Sequence, residues 1–126
     1  MQSKLLPLLQ RDAQSSPQQA LAEQVVFQSP VKDYRGRADV THIVSMIGSV
    51  LEQIDAEREL TADREIVTII TASYRGHEMT GVLEETHDQR GRVERAALLL
   101  RPLSALREAI TGMQTALEQS PLPSKL

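Results

Sequence analysis

The chain has no cysteine and no tryptophan, and its only aromatic residues are Phe27, Tyr34 and Tyr74. Without cysteine there are no disulfides, no thiolate nucleophile and no cysteine-based metal site. With so few aromatics, the core must be built from Leu, Ile, Val, Met and Ala, and no aromatic platform for single-stranded nucleic acid can form. Neither sign of charge dominates. Fourteen basic and 17 acidic residues are mixed along the chain for a net charge of −3, which is not the clustered basic stripe of a nucleic-acid surface. Long apolar runs are missing too. The leucine-rich "KLLPLLQRD" is broken by Pro7 and is too short for a membrane span, with neither the apolar length nor the cleavage site of a signal peptide. The expected location is cytoplasmic, with no nucleic acid and no membrane among the partners.

What remains is 126 residues of ordinary composition, 40% apolar and 25% charged. That is one domain, able to bury roughly two thirds of its unfolded surface. Residues 1–118 read as the domain. Residues 119–126, with two prolines and a polar end, read as a flexible tail.

Leu5, Leu6, Leu8 and Leu9 suggest a short first helix. "SSPQQALAE" predicts a second, capped by Ser16, with Pro17 in the first position and Gln19 completing a capping box, ending near Gln24. Val25, Val26 and Phe27 favour extended chain. The clearest helix is "ADVTHIVSMIGSVLEQI", where Val40, Ile43, Val44, Ile47, Val50, Leu51 and Ile54 share one face. Gly48 within it points to close packing on a neighbour. From Ala56 the period shortens. "AERELTA", "EIVTIITASY", "HEMTGVLEETH" and "RVERAALLLR" read as strands, joined by turns at Arg75-Gly76 and at "DQRG". A last helix follows Pro102, with Leu103, Leu106, Ile110, Met113 and Leu117 along one seam. It lies either on its own sheet or against a twin in a dimer. The order helix, helix, short strand, long helix, four strands, helix predicts an α+β domain with an antiparallel sheet.

Three stretches carry a resemblance: "VVFQSPV…YRGRADV" before the long helix, "SYRGHEMTGVLEETHDQRGRV" for the paired central strands, and "ERAALLLR" for the last strand. Together they resemble the nuclear-transport-factor-two-like superfamily, most of all its SnoaL-like, polyketide-cyclase-like branch, over roughly residues 15–101. Residues 102–118 extend past the usual family end. The resemblance implies a cone-shaped, cystatin-like α+β barrel in which a curved sheet is roofed by helices. It also implies an apolar pocket for a small molecule and a homodimer.

The same resemblance nominates site residues. In the related ketosteroid isomerases a proton-moving aspartate stands just before the matching Pro-Val. Here that position is Ser29, whose hydroxyl is a poor general base but is suited to local backbone bonding at a strand end. Counting back from Gly91-Arg92-Val93 puts Glu84 at the inward acidic position, with Val82 and Thr86 beside it and Glu85 outside, since neighbours on a strand face opposite ways. Among Ala96, Leu98 and Leu100, such a carboxyl would be desolvated and become a candidate general acid/base. Ser29 and Tyr74 are the other expected polar contacts, and Val82, Ala96, Leu98 and Leu100 the expected walls. Tyr34 and Tyr74 could each offer a hydroxyl to a ligand or plug the rim.

Metal and cofactor chemistry find no footing in the residues. His77 and His87 stand about 33 Å apart in an extended strand, and no histidine pair has zinc-motif spacing. His42 reads as a surface residue. There is no phosphate-binding glycine loop and no serine elbow. The Asp-Arg-Asp set of the related limonene epoxide hydrolases is also missing, since Glu94 and Arg95 face opposite ways. The first reading is an apolar small-molecule-binding domain that uses no cofactor. The alternatives are a cyclase, isomerase or lyase using Glu84 on a polycyclic or terpenoid substrate, and a non-catalytic dimeric interaction module.

Overall fold

The structure, a computed structural model, describes residues 2–126. The elements are α1 (Leu5–Leu9), α2 (Pro17–Ala20), β1 (Leu21–Gln28), β2 (Asp33–Arg35), α3 (Arg37–Val50), β3 (Glu52–Ala62), β4 (Glu65–Tyr74), β5 (His77–His87), β6 (Val93–Arg101) and α4 (Leu103–Gln119), then a 3₁₀ turn at Pro123–Lys125. Six strands form one sheet in the order β2-β1-β6-β5-β4-β3. Neighbours run antiparallel except β1 and β6, which are parallel. The α+β architecture expected from the sequence is what the chain adopts.

Alternation decides which side is covered. Along β4, Ile66, Thr68, Ile70 and Ala72 are buried while Val67, Ile69 and Thr71 are only partly so, the pattern of a sheet packed on one face. Register carries this across the sheet. Phe27, Ala96, Glu85 and Ile66 are successive cross-strand partners on the helix-covered face, and Gln28, Ala97, Glu84 and Val67 on the open face. Register shifts within β3 and near Thr86/His87 add the twist and bend by which the sheet curves around its helices without closing. β4 and β5 are joined by Arg75-Gly76, with φ of 48° and 82°, the two positive angles that a two-residue hairpin of matching twist requires.

Three local expectations are corrected. α2 ends at Ala20 and Ser16 makes no side-chain cap, because the β-branched run draws the chain into β1 from Leu21. α3 stops at Val50, and Ile54 is buried from β3 instead; with Leu51 already extended, the chain enters the sheet directly. Tyr34, expected in a loop, sits in β2 and is 7% exposed. The last residues carry contacts that their composition does not announce. Leu122 is buried, and Ser124 donates from its N–H (3.0 Å) and hydroxyl (2.6 Å) to Asp39. His42 lies 2.7 Å from the Ser120 carbonyl.

The core between sheet and helices is mainly aliphatic, with Phe27, Tyr34 and Tyr74 as its aromatic members and Leu5, Leu9, Leu21, Ile43, Ile70 and Leu83 among its fully enclosed side chains. Each stabilises the fold by about 1.5–3 kcal/mol relative to exposure. α4 lies on its own sheet and on α3. Its buried stripe is made of Ala105 and Ala109, while Leu106, Ile110, Met113 and Leu117 are half-buried and Leu103 is 58% exposed.

Candidate functional site

The sheet opens where β1 ends. β1 pairs with β6 only as far as Gln28 and Ala97. Ser29 and Pro30 then carry the chain away in a tight turn. Ser29 Oγ donates to the Lys32 carbonyl (2.8 Å) and accepts the N–H groups of Val31 (3.1 Å) and Lys32 (3.0 Å). Its hydroxyl is thus spent on the backbone, the role serine takes at such turns.

Behind the gap is a chamber of about 90 Å³ between the covered face of the sheet and the helices. Leu98 and Leu100 form its floor, Ile43 and Ile47 of α3 one wall, and Leu106, Ile110, Met113 and Leu117 of α4 the roof. Polar side chains enter the lining only at Ser29, Tyr34 and Gln114. Burial pushes the Tyr34 phenol above its ordinary pKa, so it stays a neutral hydrogen-bonding group. The Lys32 ammonium stands 5.2 Å from its ring centroid. Drug-sized ligands occupy roughly 300–1,000 Å³, and an apolar cavity of about 150 Å³ takes benzene. The chamber therefore suits a chain end or a very small apolar molecule, not a fused-ring body.

An open groove of about 520 Å³ adjoins the chamber along the exposed edge of β6. Since it follows an edge, it collects residues of both faces: Gln28, Glu84 and Leu99 from the open side, Leu98, Leu100 and Leu106 from the covered side.

Of the residues singled out from the sequence, Leu98 and Leu100 line the chamber and Ser29 stands at its mouth. Ala96 faces the same way and is 5% exposed, but it sits deeper, opposite Glu85. Three placements are corrected. Val82 pairs with Leu99 on the open face. Glu84 is exposed on that face too, opposite Val67 and Ala97, and the inward carboxylate is Glu85, 2% exposed. A count from the Gly91 turn slips by one because the β5–β6 ladder shifts register between Thr86 and His87, and a one-residue slip exchanges the two faces. Tyr74 is buried against Gly112 and borders a separate surface groove with Ser49 and Thr115, away from the chamber.

Glu85 is occupied structurally. It accepts the N–H groups of Lys4 (2.9 Å) and Leu5 (3.2 Å), the Ser3 hydroxyl, and His87 Nε2 (3.0 Å). It fastens the start of α1 to the sheet, far from the chamber walls. The residues missed by the sequence reading are Ile43, Ile47 and the α4 roof. The signal for them was present as two apolar helix stripes, which periodicity alone assigns to a core.

No protein-family model matches the chain and no curated protein matches it. Its likeness is to solved structures, and they define a class. The chain has the fold of the nuclear-transport-factor-two-like superfamily, SnoaL-like proteins included. A steroid delta-isomerase from Pseudomonas aeruginosa matches with a TM-score of 0.82 and 26% identity, over 90% of this chain and 85% of that one. An uncharacterised bacterial protein with a cystatin-like fold from Silicibacter pomeroyi matches with a TM-score of 0.83 and 17% identity, over 90% and 81%. A SnoaL-like family protein from Agrobacterium tumefaciens matches with a TM-score of 0.64 and 11% identity, over 79% and 92%. Residues 102–126 make up about a fifth of this chain, so the two matches that cover 90% of it extend into α4 or the tail.

Proposed function

We propose that this protein is a small-molecule-binding domain whose ligand site is the apolar chamber beneath α4, and that it works by binding rather than by acid–base chemistry. The supporting observation is the lining. A chamber of about 90 Å³ stands where the fold opens, walled almost wholly by aliphatic side chains, with no carboxylate and no imidazole. Proton transfer needs a group of suitable pKa within hydrogen-bond reach of the substrate. Ser29 is engaged with the backbone and Glu84 stands on the other face of the sheet. Propane, small enough for the chamber, is the test. Titrated into labelled protein, it should shift the methyl resonances of Leu98, Ile110 and Met113 saturably; shifts spread evenly over the surface would refute the proposal.

The same reading makes the protein a cytoplasmic homodimer without nucleic-acid or membrane partners. No described helix is long and apolar enough to cross a membrane. The open face of the sheet carries Leu60 and Leu99, 54% and 53% exposed, beside the half-buried Val67, Ile69 and Val82. A second copy covering that face would remove this apolar surface from water.

A further inference from the structure

Chamber and groove share Ser29, Pro30, Leu98, Leu100 and Leu106 in their linings. They are two compartments on either side of a thin partition. Leu106 belongs to that partition, a half-buried side chain in the first turn of α4, and side chains that meet solvent change rotamer fast. Glu84 is the one charged side chain lining the groove, and it has no ion-pair partner among the described residues. Gln28 lies on the same row of the open face.

Resting on the chamber as the ligand site, we infer that the two compartments form one site for a single-chain amphiphile with a cationic or hydrogen-bond-donating head. The apolar end enters the chamber past Leu106, and the head stays in the groove against Glu84 and Gln28. Size sets the first half of this assignment. The chamber takes a chain end but excludes fused rings, while the groove has room for the remainder. Charge sets the second half, because a carboxylate facing the groove attracts an ammonium and repels a carboxylate head. Glu84 here recognises a head group, and no proton is transferred.

Octylamine, octanoate and propane distinguish the parts, read by saturable methyl and amide shifts in the full chain. Octylamine should bind about three- to fivefold more tightly than octanoate, the effect of one exposed ion pair. E84Q, a surface change that leaves packing intact, should abolish that preference by weakening octylamine and, with the repulsion gone, modestly strengthening octanoate. Ala97→Trp, which fills the groove and is not part of the chamber lining, should weaken both amphiphiles and spare propane. Equal affinities for the two amphiphiles in the wild-type protein would overturn the head-group assignment. Propane binding without either amphiphile would overturn the two-compartment site and leave the chamber reading standing. Failure of all three probes would remove the chamber reading as well.

Discussion

Glu85 and His87 stand two residues apart on β5, with Nε2 and Oε1 separated by 3.0 Å and both side chains sealed from solvent. The same carboxylate receives the backbone N–H groups of Lys4 and Leu5, so a buried group in the middle of the sheet holds the start of the first helix. Its sequence neighbour Glu84 lies in solvent.

The two glutamates should therefore answer mutation very differently. Glu85→Ala leaves buried donors and an imidazole without their acceptor and should lower stability by about 3–5 kcal/mol. Glu84→Ala should change it by less than about 0.5 kcal/mol. Urea denaturation of the two variants measures this. Comparable losses, or the reverse order, would place the other carboxylate inside.

Asp88 gives a pH signature. Its carboxyl is held below the usual carboxylate pKa, first by the Arg92 backbone N–H and then by that of Arg90, each at 2.9 Å from Oδ1. A lowered folded-state pKa stabilises the fold above the unfolded-chain value of about 4, and that contribution is lost as pH falls through the folded value. Asp88→Ala should lower Tm at neutral pH, and its difference from wild type should shrink on acidification below about pH 3. A difference that grows in acid would contradict the assignment.

Much of this fold was legible in the sequence because its signals are local. Period-two runs marked β4, β5 and β6, the period-3.6 stripe marked α3, and Arg75-Gly76 marked its hairpin. The inward direction of Ala96, Leu98 and Leu100 was legible for the same reason. The site was less so. The choice between Glu84 and Glu85 rests on one register shift at Thr86/His87, a tertiary feature with no sequence signature. The α4 residues read as a packing seam, yet whether a half-buried leucine fills a core or roofs a chamber depends on what stands opposite. Here that is a gap left by the early end of β1.

Gly48 tests how α1 meets α3. A Cβ built there would lie 2.2 Å from the Leu9 carbonyl oxygen. Alanine gains about 1 kcal/mol of helix propensity over glycine, but the contact is with backbone and cannot yield cheaply. Gly48→Ala should lower stability by about 1–3 kcal/mol, as overpacking does. A rise in Tm would show that the two helices are not in contact.

The proposed homodimer is tested on the open face. Leu60→Glu with Leu99→Glu puts two charges among its apolar side chains and should convert a dimer to a monomer by light scattering, with a Tm that no longer rises with protein concentration. A chain lacking residues 102–126 should remain dimeric on this reading. Dissociation only in the truncated chain would move the interface to α4.

Crystals pressurised with xenon measure the central claim most directly, since the gas enters dry apolar cavities and shuns hydrated ones. The account predicts a xenon peak between Leu98 and Ile110, beneath α4, that disappears in Ile110→Trp. An unoccupied chamber in the wild-type crystal, or ordered water in its place, would contradict it.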